Sequence, residues 1–127
     1  MNTIRKIVAL NGVTATTTSD KIFVGGAKRV GVLLRRANNA GGTSAFTIKG
    51  SMDYETVTPI MTALNMWIDN VTNTNGQDVT RVNGTSIVNA DGDKFLWLDK
   101  NCIINWLEIT VTETSDGTHS AWVLAEY

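Results

Sequence analysis

The chain has 127 residues, of which 43% are hydrophobic and 18% charged, a composition typical of soluble globular domains rather than disordered segments. A single domain is expected at this length, and it can bury a core without a metal or a disulfide. The formal net charge of -1 excludes the overall basic surface on which non-specific nucleic-acid binding depends. Apolar runs stay well below the roughly 18 residues that a membrane-spanning helix needs, so no membrane partner is predicted.

Cysteine content and the amino-terminal segment indicate the cellular setting. Cys102 is the only cysteine, which excludes an intrachain disulfide and a zinc site with several cysteine ligands. Residues 7–10 are too short a hydrophobic run for the core of a secretory signal. We therefore expect a protein that is made in the cytoplasm and not exported.

The amino-terminal third predicts short strands. Thr, Val and Ile are frequent, and Gly, Asn and Asp recur at short intervals, which is typical of an all-β chain. A strand is predicted at 5–10, ended by the Asn-Gly pair at 11–12, and residues 1–12 form either an extended arm or an edge strand. Further strands are predicted at 13–18 and 21–24.

The middle of the chain combines a central strand with one ambiguous segment. Residues 29–36 carry a nearly continuous apolar stretch, Val30, Val32, Leu33 and Leu34, as expected of a strand covered on both faces. Residues 38–42 form a loop, and the strand at 44–50 is predicted to return as a hairpin partner. Ile60, Leu64 and Trp67 lie at helical spacing behind Pro59, which allows at most one short helix near residues 59–68.

The carboxy-terminal half predicts two more hairpins. Asn83 and Gly84 separate strands at 78–82 and 85–88, and this dipeptide favours a two-residue hairpin turn. Strands follow at 94–98 and 102–114. The turn at 115–117 leads to a last strand at 119–127, where Trp122 and Leu124 alternate with Ala121, Val123 and Ala125. The pattern predicts a single antiparallel β-sandwich domain, jelly-roll-like, spanning residues 1–127.

No residue pattern predicts catalysis. The single histidine, His119, follows Ser115 and Asp116, but no recognisable nucleophile motif surrounds them. Cys102 opens an apolar strand and is interpreted as an inert core residue. We predict a non-enzymatic protein without a small-molecule substrate.

Acidic and basic clusters are weak ligand signals. Asp91 and Asp93 resemble part of a calcium loop, but the remaining ligand spacing is missing, so a charged turn is favoured and no metal or cofactor is predicted. Arg35 and Arg36 must point to opposite faces of one strand. Surface contact or an ion pair between subunits is favoured for this pair over a phosphate-binding groove.

Four tryptophans, Trp67, Trp97, Trp106 and Trp122, are many for this length. Tryptophans flanked by Leu and Ile in strands are more often core or subunit-contact residues than sugar platforms. Both interpretations stay open for individual residues.

The closing sequence resembles a known family. Residues 106–117 followed by 121–125, with weaker support from 32–50, look like the last hairpin of the capsid decoration (cement) proteins of tailed bacteriophages. That resemblance implies a non-enzymatic virion subunit on the outside of an assembled capsid, often a trimer, that reinforces junctions between major capsid subunits. The implied partners are the major capsid protein and copies of this chain.

Residues for such contacts are predicted in the amino-terminal segment, the arginine pair and two Asn-rich loops: Ile4, Arg5, Lys6, Arg35, Arg36, Asn38, Asn39, Asn73 and Asn75. Residues 1–6 are expected to add a strand to a neighbour's sheet, so their deletion should abolish shell binding and leave the fold intact. Two alternatives stand beside this function. One is a carbohydrate-binding or receptor-recognition module, and the other is a small self-assembling coat protein.

Overall fold

The fold consists of strands alone within the part of the chain that the structure describes. This structure is a computed structural model that describes residues 3–38, 44–54, 58–69, 79–83, 85–88, 91–98, 103–113 and 117–127. The strands are β1 Ile4–Val13, β2 Thr17–Thr18, β3 Ile22–Phe23, β4 Arg29–Ala37, β5 Ser44–Ser51, β6 Thr62–Ala63, β7 Asn65–Asp69, β8 Val79–Asn83, β9 Thr85–Val88, β10 Gly92–Leu98, β11 Trp106–Glu113 and β12 Thr118–Glu126. No helix in these ranges is long and apolar enough to cross a membrane.

Two antiparallel sheets form a sandwich. The first sheet has the order β1-β12-β4-β10-β7-β8. In the second sheet β2 and β3 both pair with β11, which pairs with β5, and β5 pairs with β6 and β9. Most consecutive strands lie in different sheets, so the chain repeatedly crosses the sandwich, as in a jelly roll. The predicted all-β sandwich is confirmed.

The core lies between the two sheets and follows the two-residue period of the strands. Inward side chains of β4, β12 and β11 are almost completely buried, and β5 and β10 contribute further members. The fully excluded residues include Leu34, Phe46, Ile109, Val123 and Ala125, each 0% exposed. The predicted alternation of β12 is confirmed, and Ala121, Val123 and Ala125 are the residues that face inward.

Three predicted hairpins are wrong, and they fail for one reason. β4 and β5, β8 and β9, and β11 and β12 are each consecutive in sequence, but the members of each pair belong to different sheets. An Asn- or Gly-rich connection reverses the chain equally well within a sheet and across a sandwich. Local turn chemistry therefore indicated where the chain turns but not which strand becomes the partner.

Two other segments differ from their predictions. Residues 62–63 and 65–69 form β6 and β7, so the described part of 59–68 contains no helix. Aromatic and β-branched residues fit β7, which has partners on both sides, β10 and β8. β1 does not end at residue 10 but continues through Gly12, whose φ of 62° accompanies a register shift before Val13.

Strand β1 is an edge strand of the first sheet. It pairs with β12 from Ile4↔Glu126 to Val8↔Trp122 in continuous register, and register shifts follow beyond Val8. The backbones of Thr3 and Tyr127 extend this ladder with two hydrogen bonds, one in each direction, at 3.2 Å and 2.8 Å. Residues 4–6 thus belong to the protein's own sheet, and the prediction that residues 1–6 can be deleted without affecting the fold is not supported.

Candidate interaction surface

The strongest candidate site is the solvent-facing side of the first sheet, here called the outer face. Along β1, β12, β4 and β10, alternate side chains point away from the core. The outer face consists of Ile4, Lys6 and Val8 of β1, Trp122 and Leu124 of β12, Leu33 and Arg35 of β4, and Phe95 and Trp97 of β10. It is an apolar surface on a side of the sandwich where a solvated sheet usually carries polar residues.

The register aligns the apolar residues of the outer face across four strands. Val8 lies opposite Trp122, Trp122 opposite Leu33, and Leu33 opposite Phe95. Leu33 is 6% exposed between its neighbours, whereas Val8 and Phe95 are 55% and 51% exposed. The row is thus a continuous apolar band with a packed centre and open ends.

A second row runs beside the first. Leu124 and Trp97 flank Gly31, which contributes no side chain between them. A Cβ at Gly31 would lie 3.2 Å from the backbone oxygen of Leu96, so the position is tight on the backbone side. Trp97 is 37% exposed, and Trp67 of β7 is its register partner. The apolar character of the outer face therefore extends along β10.

Ion pairs formed within the chain border the apolar band. Arg35 donates two hydrogen bonds to Asp93, at 2.7 Å and 3.0 Å, and Arg29 donates two to Glu126, at 2.8 Å and 2.9 Å. The hydrogen bonds from Arg35 lower the pKa of Asp93 below its usual value. Because each arginine is neutralised by its own acid, this border presents little net charge.

Trp122 is held at the centre of the outer face by two cations. The Lys6 ammonium lies 4.9 Å from the ring centroid, and the Arg35 guanidinium carbon lies 5.0 Å from it. Such contacts orient the indole through the attraction of a cation to the ring face. A sugar stacked on Trp122 would compete with these cations, so this geometry does not favour Trp122 as a carbohydrate platform.

A smaller aromatic cluster lies at β3 and β11. The Phe23 ring is 5.0 Å from Trp106 at 63° and 5.5 Å from Tyr54 at 59°. Tyr54 is 60% exposed, but its ring is tilted against Phe23, and Phe23 meets Trp106 edge to face, so the three rings form no flat platform. This inclined packing favours a structural role for the cluster.

The structure distributes the predicted contact residues unevenly. Ile4, Arg5 and Lys6 are exposed on β1, Arg35 is exposed on the outer face, and Asn38 is exposed with a φ of 55°. Arg36 is 1% exposed and points into the sandwich, so its prediction as a surface contact is corrected. Asn39, Asn73 and Asn75 lie outside the described residues.

The residues considered for chemistry are not brought together. His119 is completely buried in the sandwich, with its ring centroid 6.0 Å from that of Phe46. Asp93 is engaged by Arg35, and Cys102 lies outside the described residues. Within the described ranges, no three His, Cys, Asp or Glu side chains form a group that could hold a metal ion.

Sequence reasoning missed most of the outer face. Leu33 was predicted in a strand covered on both faces and Trp97 as a core or subunit-contact residue. Their common surface with Phe95 depends on the pairing of strands distant in sequence. One signal was present: Phe95-Leu96-Trp97-Leu98 is apolar at every position, whereas a strand with one solvated face alternates.

Comparison with known proteins identifies the fold. No protein-family model and no curated protein matches the sequence. The crystal structure of the SPBc2 prophage-derived protein YomS matches with a TM-score of 0.69 and 10% identity, covering 100% of this chain and 96% of that chain. A chain from the disulfide-linked pili of Bacillus endospore appendages matches with a TM-score of 0.43 and 11% identity, covering 99% of this chain and 88% of that chain. The first likeness shows that this chain shares the fold of a prophage-derived protein, and the second is too distant to carry an argument.

Proposed function

We propose that this chain is a non-enzymatic structural subunit of a bacteriophage particle, a capsid decoration protein that binds the outer shell of the head through its outer face. One observation carries the proposal: the outer face is an ordered apolar surface that contains two exposed aromatic side chains, Phe95 at 51% and Trp97 at 37%. Contiguous apolar patches with polar borders mark protein-binding surfaces.

The fold and the sequence support the phage context. The chain shares its sandwich with a prophage-derived protein. Its closing sequence resembles that of decoration proteins. Binding to an assembled shell requires a rigid scaffold and a complementary surface rather than reactive groups. The outer face meets this requirement, because regular strands fix its side chains.

The test begins with phage particles whose genome encodes this chain. Particles are purified on a density gradient, heads and tails are separated, and the chain is detected by antibody in each fraction. We expect it on heads and absent from tails. A chain that stays in the soluble fraction, or that is found on tails, contradicts the capsid assignment.

Variants then connect binding to the outer face. Purified chain is added to heads that lack it, and co-sedimentation gives the affinity. The double variant Phe95→Ser, Trp97→Ser should lose at least roughly tenfold in affinity, since aromatic anchors dominate such interfaces. Ile60→Ser is the matched control, because Ile60 is 77% exposed and lies outside the outer face. Equal binding by the double variant and the control would refute the role of the outer face.

A further inference from the structure

The second feature able to bind a protein is the open edge of β1. Because Thr3 and Tyr127 exchange both backbone hydrogen bonds, they form a hydrogen-bonded pair of the antiparallel ladder. Such pairs alternate along the strand, so Arg5 and Ile7 also bond towards β12. The N–H and C=O groups of Ile4, Lys6 and Val8 therefore point away from β12, towards the edge.

This edge is unpaired within the described part of the chain. β1 is the terminal strand of the first sheet and pairs with β12 alone. Its register is regular from Ile4 to Val8, a stretch of roughly five residues, which is an ordinary strand length. Beyond Val8, two shifts of register and the positive φ of Gly12 increase the twist of the strand. A twisted edge pairs less readily with another strand. The first half of β1 is thus the part able to accept another strand.

Charge indicates what kind of strand fits. Arg5 and Lys6 are exposed, and neither forms an ion pair with a described residue, although Lys6 lies over the Trp122 ring and acts on Asp93 at longer range. The acids that border the outer face, Asp93 and Glu126, are already engaged by Arg35 and Arg29. An incoming strand with acidic side chains would give both cations a direct partner.

A second copy of β1 fits this edge poorly. In a symmetric antiparallel pair centred on Lys6, the two Lys6 side chains would lie directly opposite each other, and a pair centred on Arg5 would oppose the two arginines. Like charges directly opposite on a sheet destabilise the pairing. Pairing of two copies of β1 is therefore disfavoured in these two registers, whereas an acidic strand is favoured by the same cations.

We propose that the β1 edge from Ile4 to Val8 accepts an extended, acidic segment of a partner protein as an added strand of the first sheet. Backbone hydrogen bonds at Ile4, Lys6 and Val8 would supply affinity, and Arg5 and Lys6 would supply the preference for acidic residues. The inference deepens the proposed function and rests on it for the identity of the partner as a shell subunit.

The primary test uses the purified full chain and a synthetic capped heptapeptide of alternating Val and Glu. Amide hydrogen exchange is followed by NMR with and without the peptide. The amides of Ile4, Lys6 and Val8 should slow by about tenfold or more at saturation, whereas those of Arg5 and Ile7, already bonded to β12, should change little. No slowing at the three edge amides overturns the proposal.

Two matched peptides separate charge from strand pairing. The same peptide with Lys in place of Glu should bind at least roughly tenfold more weakly. A Gly-Ser peptide carrying the same glutamates should give no edge protection, because it has low strand propensity. Equal binding of the acidic and basic peptides would refute the charge preference.

Substitution at the edge gives an independent check. Lys6→Pro removes an outward N–H without removing a hydrogen bond to β12, and Lys6→Gln removes the charge but keeps the N–H. Loss of one hydrogen bond predicts a several-fold weaker peptide affinity for Lys6→Pro than for Lys6→Gln, of order 2- to 12-fold. Equal peptide affinities of the two variants would refute strand addition at the β1 edge. If Lys6→Pro does not fold, amide hydrogen exchange in the unaltered chain decides the question. Binding to heads is measured separately, so a negative peptide result would overturn strand addition at the β1 edge but not the proposed function.

Discussion

Arg35 and Arg36 are neighbours in sequence and differ completely in environment. Arg35 lies on the outer face, where it bonds to Asp93 and contacts the ring of Trp122. Arg36 is enclosed in the sandwich as the register partner of buried His119. The alternation of a strand predicts opposite faces for the two side chains, and the structure confirms it. Sequence could not tell which face was buried.

The Arg35–Asp93 pair makes stability depend on pH in a defined direction. Because the pKa of Asp93 is lowered in the folded state, the pair stabilises the fold above the usual aspartate pKa, and this contribution is lost as the pH falls through the lowered value. Asp93→Asn should therefore be less stable than the parent chain near neutral pH and nearly equal to it in strong acid. Urea unfolding at pH 7 and pH 2.5 measures both differences.

Asp20→Asn serves as the control for that comparison, since Asp20 is also exposed and lies between β2 and β3, two strands of the second sheet. The pairing would be contradicted if Asp93→Asn kept the same stability deficit at both pH values. The effect should be modest, because both members of the pair are solvent-exposed and screened.

Gly12 is a position where backbone geometry, rather than space, limits substitution. Its φ is 62°, and a Cβ placed there would meet no atom within 4 Å. Gly12→Ala should destabilise the fold by about 1 kcal/mol, because L-residues with a Cβ disfavour this conformation. Thermal unfolding measures the change. Gly12→Asn should cost less, and equal costs for Ala and Asn would contradict the backbone explanation.

At the scale of elements, β4 is the strand on which both surfaces of the first sheet depend. It lies between β12 and β10, with Leu34 facing the core and Leu33 facing outward. The continuous apolar run of residues 30–34 predicted this central position correctly. Such a strand must be apolar on both sides, because one side packs in the core and the other is part of the outer face.

Leu34→Ala should destabilise the chain by about 3 kcal/mol, since it leaves a cavity at a completely buried site. Val8→Ala is the control, because Val8 is 55% exposed and its truncation should change stability by less than about 0.5 kcal/mol. Denaturant unfolding compares the two. A small effect of Leu34→Ala would show that the sandwich core is packed elsewhere.

The limits of sequence reasoning follow from the kind of information each element uses. Strand positions such as 29–36 and the alternation of 121–125 depend on local pattern and were predicted. The partners of β5, β9 and β11 depend on chain crossings between sheets, which local turn residues do not encode. The outer face was missed for the same reason, because Val8, Trp122, Leu33 and Phe95 meet through register between strands far apart in sequence.

At the scale of the whole molecule, an apolar outer face on a chain of nearly balanced charge favours association. The expected trimer remains a prediction, and light scattering on a sizing column tests it. We expect a discrete oligomer that is a multiple of the 13.8 kDa chain mass and that persists in Phe95→Lys, because the outer face is assigned to the shell. Ile60→Lys is the control for an added charge at an exposed apolar position. A monomeric parent would contradict the expected trimer, and loss of the oligomer in Phe95→Lys alone would contradict the assignment of the outer face to the shell.

The pairing of β1 with β12 has a consequence for how the protein is made. Ile4 emerges from the ribosome more than a hundred residues before its partner Glu126. At synthesis rates of about 5–20 residues per second, β1 waits on the order of ten seconds before its partner strand exists. The pairing of β1 with β12 therefore forms only after residues 118–126 have been translated. Until then the backbone of β1 lacks its partner strand, and the charges of Arg5 and Lys6 disfavour its pairing with another basic strand.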